Sequence, residues 1–534
     1  MGESCPIGRA SIGITLDTCS QPFASVDNGR TKKSCIVFSV RGPTGGSLGV
    51  RAQLLGSEGD VMRKQWLPLW LAVGVCLVTA LPAVMASAAG ALAFTPPVHY
   101  GLGGRPADLA SADLNGDGRP DIVASAGAGI DILLGSGRGR FAAAIRMPLE
   151  HRPGAIALAD ADRSGTLDVV TANADDTVSV LLGDGRGSFV AWGAFPTGAS
   201  PSDLVVGDLT GDGVPDVATA GGDGLSILTG DGSGGLLSPV HLAVGEGCRH
   251  VVIGDFNLDG TLDLAFTRNS WEEYSGFGVL LGDGAGGFSP LATYSTYLEP
   301  FGLAMADLNL DGRPDLVSLD GLEGDAEIGA FLGDGMGVFI SACRTMFSRN
   351  LSASGLAVGD LNRDGRADVV TTGRRPGHTT GTNGGSVTVP PGPPRIYILL
   401  SHSFDGVFFE PTSFLAGRVP GEVIVADFNG DHKPDLATTD VETKSLSVRL
   451  NGALPALTGV SPVHGRIGDV VTLTGRHFGK RGVVQFSGKT VTAYLSWDVS
   501  QIKVRVPRGT ARGSVKVTVT TLIGQSAPRS FFRL

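Results

Sequence analysis

The sequence DLNGDGRPD at residues 113–121 decides the fold. It places oxygen-bearing side chains at positions 1, 3, 5 and 9 and a glycine at position 6. The same nine-residue pattern begins again at six later aspartates, which are Asp160, Asp208, Asp255, Asp307, Asp360 and Asp427. Seven copies at similar intervals indicate one repeated structural unit.

The oxygen spacing predicts seven calcium sites. Calcium takes six to eight oxygen ligands at about 2.3–2.6 Å, and glycine at position 6 lets the loop turn around an ion. The alternative is a set of metal-free Asp/Asn/Gly turns, which a single copy would favour. The predicted ligands, with position 7 contributing its backbone carbonyl, are Asp113, Asn115, Asp117, Arg119 and Asp121; Asp160, Asp162, Ser164, Thr166 and Asp168; Asp208, Thr210, Asp212, Val214 and Asp216; Asp255, Asn257, Asp259, Thr261 and Asp263; Asp307, Asn309, Asp311, Arg313 and Asp315; Asp360, Asn362, Asp364, Arg366 and Asp368; Asp427, Asn429, Asp431, Lys433 and Asp435.

The seven loops are not equivalent. The second copy has Asp162 and Ser164 at positions 3 and 5, where most copies have Asn and Asp. The third copy has Thr210 at position 3, and the seventh has His432 where the others have glycine. Histidine tolerates a positive φ, so that turn can persist with some strain. We therefore expect up to seven calcium ions, with the second and seventh sites the weakest.

The charge of the chain follows from these loops. The 534 residues carry a formal charge of −10, and the seven loops hold 21 of the 52 acidic residues. Seven bound Ca²⁺ ions would bring the formal charge from −10 to +4. The acidity therefore reflects predicted metal ligands, and no basic run indicates a nucleic-acid partner. The six cysteines show no spacing typical of a zinc site or a disulfide framework.

Residues 62–93 have the pattern of a secretory signal peptide, because two basic residues precede a long apolar segment that ends in small residues. The alternative is a membrane anchor through residues 65–88, the only part with which an uncleaved chain would contact a membrane. A signal peptide begins at an N-terminus, so we interpret Met62 as the true start. Residues 1–61 are then a disordered or mis-called extension, and the protein is exported, either secreted or held at the cell surface.

Residues 94–452 consist of seven units, whose loops start 47, 48, 47, 52, 53 and 67 residues apart. Each unit has one short apolar run before its loop, a second directly after it, a third a few residues later, and a more polar fourth. Runs of four to six residues rich in Val, Ile and Leu between Gly- and Asp-rich turns are typical of strands. The sequence therefore predicts an all-β chain that forms a seven-bladed β-propeller of four strands a blade.

The two ends of this region predict how the propeller closes. The seventh unit reaches its third strand at 446–450 and has no fourth. Residues 94–103, FTPPVHYGLG, match the fourth runs of other units. We predict that they form the outer strand of the last blade, which closes the ring and removes an open edge.

The pattern DxNxDGxxD between two strands, followed by LLGDGxGxF, resembles the FG-GAP/VCBS repeat. It is similar to the propeller of integrin α chains, and the resemblance covers most of residues 94–450. The resemblance implies that the calcium loops join the first and second strands of each blade on one face. It also implies that ligands bind the opposite face, which is made by the second-to-third-strand loops and the blade-to-blade loops.

The second-to-third-strand loops of that opposite face differ in length. They are longer in the fourth unit (267–278), the fifth (320–329) and above all the sixth (371–394). Long loops on a rigid scaffold are where binding residues tend to lie. The alternative is a surface insertion without function. The candidate ligand contacts are Trp271, Glu272, Glu273, Tyr274, Arg374, Arg375 and His378.

Residues 454–534 lack the loops and contain short alternating strands, which predict a small β-sandwich. The stretches GVSPVHGRIGDVVTLTGRHFG (459–479) and GSVKVTVTT (513–521) resemble an IPT/TIG immunoglobulin-like domain. The resemblance implies a spacer or an interaction module.

No catalytic motif accompanies the repeats: the sequence has no phosphate-binding loop, no G-x-S-x-G elbow and no HExxH pair. The sequence therefore predicts an exported calcium-binding module that adheres to a surface glycan or protein. Two alternatives remain, a polysaccharide lyase or hydrolase that uses the face of blades 4–6, and a multivalent lectin. The sequence does not identify the ligand.

Overall fold

A computed structural model of the chain divides into two compact units, Met1–Gly90 and Ala91–Leu534. In the first unit, three antiparallel strands pair in chain order: β1 (Ile14–Asp17), β2 (Cys35–Arg41) and β3 (Ser47–Gln53). The predicted signal segment lies outside the described residues up to residue 91. The structure describes residues 14–17, 35–41, 47–53, 92–269, 275–296, 298–322, 325–348, 351–375, 378–382, 385–389, 391–401, 408, 411–452, 454–521, 523 and 525–534.

Every regular element in the described residues is a β-strand. Within that part of the chain, no helix has the length and apolar character that a membrane crossing requires.

Seven four-stranded antiparallel sheets make up most of the second unit, and we number them as blades 1 to 7 in chain order. Blade 6 carries an additional two-stranded sheet, and blade 7 takes its outer strand from the N-terminal side of blade 1. The strands are β4 (Val98–Gly101); in blade 1, β5 (Pro106–Ala112), β6 (Asp121–Ala126), β7 (Gly129–Leu133) and β8 (Ile145–Pro148); in blade 2, β9 (Pro153–Ala159), β10 (Asp168–Asn173), β11 (Thr177–Gly183) and β12 (Phe189–Pro196); in blade 3, β13 (Asp203–Gly207), β14 (Asp216–Gly221), β15 (Gly224–Leu228) and β16 (Val240–Leu242); in blade 4, β17 (Cys248–Gly254), β18 (Asp263–Arg268), β19 (Gly276–Leu280) and β20 (Ala292–Ser295); in blade 5, β21 (Glu299–Ala306), β22 (Asp315–Leu322), β23 (Asp325–Gly333) and β24 (Phe339–Ser348); in blade 6, β25 (Ser352–Gly359), β26 (Asp368–Arg374), the additional pair β27 (His378–Thr382) and β28 (Gly385–Val389), β29 (Arg395–Leu399) and β30 (Thr412–Leu415); in blade 7, β31 (Pro420–Ala426), β32 (Asp435–Asp440) and β33 (Ser445–Arg449).

The first strand of each blade is the innermost one. Successive first strands contact one another from β5 through β9, β13, β17, β21 and β25 to β31, which contacts β5 again. Seven apolar clusters fill the spaces between adjacent blades all the way round. Between blades 1 and 2, for example, Val123 and Ile132 pack against Val169 and Leu181. This closed ring confirms the predicted seven-bladed β-propeller.

The ring closes as the sequence predicts. β4 pairs antiparallel with β33, with Val98 opposite Val448, and so becomes the outer strand of blade 7. Just before β4, the Thr95 N–H donates a 2.9 Å hydrogen bond to the Leu450 carbonyl. The closure by residues 94–103 is therefore confirmed, although the strand itself is shorter than that segment.

The structure corrects two loop predictions. Residues 320–329 do not form a lengthened loop, because β22 and β23 continue as a long hairpin in which Asp320 pairs with Glu327. In blade 6, β26 extends through Arg374, so Arg374 belongs to a strand rather than to the insertion. The insertion that follows contains the β27–β28 pair, and the chain then enters β29.

The C-terminal residues form a two-sheet sandwich. One sheet has the order β34-β36-β40-β39 and the other has the order β35-β42-β41-β37-β38. Its core contains Leu473, Phe478, Phe486, Val504 and Phe531, each at most 1% exposed. The strands are β34 (Ala456–Ser461), β35 (His464–Gly465), β36 (Val470–Arg476), β37 (Val483–Phe486), β38 (Lys489–Thr490), β39 (Tyr494–Trp497), β40 (Gln501–Arg505), β41 (Gly513–Thr520) and β42 (Arg529–Arg533).

Candidate calcium loops and the opposite face

Each predicted calcium loop joins the first and second strands of its blade. Because the strands of a blade are antiparallel, these loops share one face of the propeller with the turns between third and fourth strands. We call this the calcium-loop face. The second-to-third-strand loops and the blade-to-blade connections form the opposite face. The chain enters the C-terminal sandwich directly after β33, so it leaves the propeller on the calcium-loop face.

The position-9 aspartate anchors each loop to its sheet. In blade 4, Asp263 Oδ2 accepts a hydrogen bond from the Phe256 N–H at 2.7 Å, and Asp263 Oδ1 accepts one from the Gly282 N–H at 2.8 Å. All seven copies make both bonds, one with position 2 of the loop and one with a residue that ends the third strand or lies two residues beyond it. The seven side chains, all 0% exposed, are Asp121, Asp168, Asp216, Asp263, Asp315, Asp368 and Asp435.

Burial raises the pKa of all seven position-9 carboxyls. The two backbone donors lower each pKa, but removal from water outweighs them. The pKa of Asp315 rises to about 6, that of Asp368 to about 7 and that of Asp435 to about 8. A cation bound in the loop would stabilise the ionised carboxylate and so lower its pKa.

The position-1 aspartate accepts hydrogen bonds from backbone N–H groups of its own loop. In blade 4, Asp255 Oδ1 accepts the N–H of Asp259 at 3.0 Å, and Asp255 Oδ2 accepts the N–H of Gly260 at 2.9 Å. The Asp259 carboxylate in turn accepts the N–H of Thr261 at 2.8 Å. Loops 1, 3, 5 and 6 make the same three bonds or close equivalents. The loop is thus curled with its oxygens directed inward by its own amides.

Position 4 of every loop is left-handed, which the sequence did not reveal. Its φ lies between 58° and 73° in all seven copies, and three copies place glycine there. Leu258 and Leu310 take this conformation with large side chains that are 53% and 46% exposed. At position 6 the φ is positive throughout, including 63° at His432. The turn at His432 therefore keeps its conformation, as expected, with a strain that glycine avoids.

The donor set fits a hard cation. In the second loop, ligand oxygens of Asp160, Asp162 and Asp168 all lie within 4.8 Å of one another. Asp160 Oδ1 in this loop and Asn429 Oδ1 in the seventh are buried and have no hydrogen-bond partner among the described residues. A buried oxygen without a partner is costly, and a cation bound in the loop would supply one. The second and seventh loops thus retain oxygens suited to calcium, and their weaker affinity stays a prediction.

The calcium loops also contact the neighbouring blade. The N–H of Gly286, in the third-to-fourth-strand turn of blade 4, donates to the carbonyl of Leu209 at position 2 of loop 3. Gly187, Gly337 and Gly139 make the same bond to loops 1, 4 and 7, at 2.9–3.1 Å. An ordered loop therefore also holds the next blade in place.

The opposite face contains three of the seven candidate ligand contacts in the described residues. Arg375 is exposed, and Arg374 at the end of β26 has a buried Nε without a hydrogen-bond partner among the described residues. His378 begins β27, the first strand of the insertion. The structure thus places these three at the base of one hairpin. Trp271, Glu272, Glu273 and Tyr274 lie outside the described residues.

A buried carboxyl pair lies on blade 5 near the same face. Asp320 and Glu327 are directly opposite each other on β22 and β23, and they are only 2% and 4% exposed. Burial raises both pKa values, that of Asp320 to about 7, and the neighbouring Glu327 adds to the shift of Asp320. Their enclosure makes them poor candidates for contact with a polysaccharide.

Four titratable groups meet at the centre of the ring. They were not among the site residues predicted from the sequence. Asp108, Asp203, His250 and Glu422 each lie five residues before the first aspartate of their loop, on the innermost strands of blades 1, 3, 4 and 7. His250 Nδ1 lies 3.3 Å from Asp203 Oδ2. The signal was available in the sequence, because the four occupy the same position of the repeat.

These central groups shift one another's pKa values. Burial is the main cause that raises the pKa of Asp108 and of Glu422, and the other carboxylates of the group add to it. Burial alone would lower the pKa of His250, but its hydrogen bond to Asp203 and the nearby carboxylates raise it. The folded ring therefore favours the protonated forms of Asp108, His250 and Glu422.

Comparison with protein families agrees with this architecture. A model described as an FG-GAP-like repeat matches residues 113–171, 160–219 and 307–371, and an IPT/TIG domain model matches residues 455–530. The chain therefore contains FG-GAP-like repeats in its β-propeller and an IPT/TIG domain at its C-terminal end. Such components are typical of extracellular or surface proteins and indicate an adhesion or ligand-binding module.

Similarity to solved structures is low. A lectin of Agrocybe aegerita that recognises non-reducing terminal N-acetylglucosamine is 18% identical, with a TM-score of 0.41 over 64% of this chain and 86% of that one. A BBS1N structure in complex with ARL6DN is 11% identical, with a TM-score of 0.46 over 67% of this chain and 97% of that one. A fungal alcohol oxidase of the AA5 family is 11% identical, with a TM-score of 0.39 over 83% and 99%. No curated protein matches the chain.

Proposed function

We propose that the protein is an exported, calcium-stabilised adhesion module that binds a surface glycan or protein through the face opposite the calcium loops. The observation that carries the proposal is the sevenfold loop of inward-directed oxygens, with a buried carboxylate at position 9 of every copy. Calcium, when bound, would supply positive charge that compensates the carboxylates at positions 1, 5 and 9, or at positions 1, 3 and 9 in the second loop.

The proposed role of the metal is structural. Three aspartates in each loop repel one another without a cation, and each loop also supports the next blade through a position-2 carbonyl. A ligand that binds only the folded state stabilises it by about 2.7 kcal/mol at a hundredfold excess over its dissociation constant. Several such sites together would decide whether the ring stays closed. Millimolar extracellular calcium would suffice for sites of modest affinity.

The opposite face is the proposed binding surface. The IPT/TIG domain follows a strand end on the calcium-loop face, so its attachment leaves the opposite face available. The β27–β28 hairpin extends from that face beside Arg374 and Arg375, two cationic side chains that suit an anionic glycan or an acidic protein surface.

Binding of the full chain to arrays of surface glycans and proteins, in calcium and in chelator, tests this function. We expect binding in calcium that is lost when the β27–β28 hairpin is replaced by a short Gly/Ser turn. The matched control is Trp192→Ser, a change at a 54%-exposed side chain on the outer strand of blade 2. Binding that persists in the hairpin-replacement variant but is lost in Trp192→Ser would contradict the proposed surface.

Incubation with polysaccharides separates this proposal from the enzyme alternative, because release of reducing or unsaturated ends would indicate a hydrolase or a lyase. Mass spectrometry of the secreted protein tests export. We expect an N-terminus within residues 86–94, and a peptide from residues 1–61 would contradict the proposed start at Met62.

A further inference from the structure

The ring is held closed at one place by a non-covalent joint. Residues 93–95 and 450–452, which we call the closing joint, bring the N-terminal side of the propeller against the end of β33. The Gly452 N–H donates to the Ala93 carbonyl at 2.6 Å, and the Leu450 N–H donates to Thr95 Oγ1 at 3.0 Å. Every other blade takes all four strands from one continuous segment, so blade 7 alone depends on this joint.

Asn451 hydrogen-bonds the closing joint to two calcium loops. Its backbone N–H donates to Asp435 Oδ1, at position 9 of loop 7, over 2.7 Å. Its side-chain Nδ2 donates to the Leu361 carbonyl, at position 2 of loop 6, also over 2.7 Å. Asn451 is 5% exposed, so both bonds are shielded from water. One residue of the joint thus depends on the geometry of both loops.

The Asn451 side chain replaces a contact that other blades make with their backbone. In blades 1, 2, 4 and 5, a glycine N–H of the third-to-fourth-strand turn donates to position 2 of the preceding loop. Blade 7 has no such turn, because the chain leaves the propeller there. A buried carbonyl at Leu361 would lose this partner without the asparagine amide.

The closing joint also contacts the C-terminal domain. A Cβ on Gly452 would lie 3.1 Å from Ile523 Cδ1 of the sandwich and 3.6 Å from Lys433 Nζ of loop 7. Gly452 has a φ of 144°, which favours glycine. Gly452, half-buried, therefore lies near both the seventh loop and the IPT/TIG domain.

We infer that the closing joint is a calcium-dependent coupling between the propeller and the IPT/TIG domain, with Asn451 as its positioning residue. This inference rests on the proposed binding of calcium by the loops. Metal in loops 6 and 7 fixes the Leu361 carbonyl and the Asp435 carboxylate, and so holds Asn451. When the metal leaves, Asn451 loses defined partners, the ring opens first at this joint, and Gly452 no longer keeps Ile523 of the IPT/TIG domain in place.

Hydrogen exchange of the full chain, followed by mass spectrometry in calcium and in chelator, tests the coupling. In the wild-type protein we expect chelator to speed exchange in residues 93–101 at least tenfold more than in β12, the equivalent outer strand of blade 2. In Asn451→Ala we expect residues 93–101 to exchange at least tenfold faster even in calcium. The matched control is Asn173→Ala, which removes three side-chain hydrogen bonds of a fully buried asparagine within blade 2. It should leave residues 93–101 protected.

The outcomes separate this inference from the proposed function. Calcium protection of the seven loops with equal effects on residues 93–101 and β12 would overturn the coupling and leave calcium binding intact. Absence of any calcium effect on the loop peptides would overturn both. The wild-type comparison decides between these results even if Asn451→Ala does not fold. Calcium-dependent protection of residues 93–101 in Asn451→Ala equal to wild type would also overturn the role of Asn451.

Discussion

The position-9 aspartate should have two separable roles, as an anchor of the loop and as a metal ligand. We compare Asp263→Asn, at position 9 of loop 4, with Asp259→Asn, at position 5 of the same loop. Asp263 is fully buried and accepts two backbone N–H groups, whereas Asp259 is exposed and accepts bonds from Thr261 and Asn257 of its own loop. Both are predicted ligands, so only the anchoring role distinguishes them.

The expected loss of stability in Asp263→Asn follows from the two hydrogen bonds that Asp263 accepts. Asparagine at position 263 keeps one acceptor oxygen and turns an NH₂ group towards a buried N–H that it cannot accept. A buried donor without a partner costs about 1–3 kcal/mol. At roughly 2 °C of melting temperature per kcal/mol for a large domain, we expect Asp263→Asn to lose roughly 2–6 °C in chelator. Asparagine at position 259 can still accept the bond from Thr261, and the exposed Asn257 amide that loses its acceptor can bond to water instead. We therefore expect little change in chelator.

Scanning calorimetry of the full chain, in excess calcium and in chelator, measures both variants. In calcium both should lose stability, because each removes a ligand carboxylate. An Asp263→Asn variant that melts with the wild type in chelator would refute the anchoring role. An Asp259→Asn variant that loses as much in chelator as Asp263→Asn would refute the distinction between the two positions.

Three further changes test other parts of the account. Leu258→Gly should raise the melting temperature by roughly 1–2 °C, because it relieves a left-handed φ of 58° at a half-exposed side chain; an unchanged or lower value contradicts that strain. The raised pKa values of Asp108 and Glu422 mean that the folded state binds more protons than the unfolded state, so in saturating calcium the free energy of unfolding should fall as the pH rises through neutrality. Denaturant titrations should show a shallower fall in Glu422→Gln, and an unchanged slope contradicts the role of the central group. Tyr100→Phe should cost about 1–3 kcal/mol in denaturant titrations, because the Tyr100 hydroxyl accepts the Phe141 N–H and so joins β4 to blade 1; a neutral result would mean that this bond does not stabilise the packing of β4 on blade 1.

The blade architecture could be predicted because each repeat contains a loop motif that marks the boundary between two strands. The nine-residue loop ends the first strand and begins the second, so seven copies locate fourteen strand ends. The missing fourth strand after residue 450 and its match at 94–103 predict the closure, which β4 and β33 confirm. The IPT/TIG match at residues 455–530 likewise agrees with the expected sandwich.

Blade 5 shows why the rest could not be predicted. Residues 320–329 contain Asp, Glu and three glycines, a composition typical of a loop. In the fold, Asp320 and Glu327 pair across a hairpin and are buried. Tertiary packing therefore overrides the local composition there.

The sequence predicts which residues supply the ligand oxygens of each loop. It does not predict the hydrogen bonds that hold those residues in place. The sequence places aspartate at position 9, but its second partner follows a third strand 14–33 residues away. The position of that partner depends on how the blade folds. The central group of Asp108, His250 and Glu422 likewise depends on the closure of the ring, because blades 1, 4 and 7 are far apart in the sequence.

Calorimetric titration of calcium into the metal-stripped full chain, combined with melting temperatures before and after, tests the central claim most directly. We predict several binding events per chain and a large rise in melting temperature that magnesium does not reproduce, because the loops offer oxygen sets suited to the larger ion. No heat of binding and an unchanged melting temperature would show that the seven loops are metal-free turns, and would contradict the account of a calcium-stabilised module.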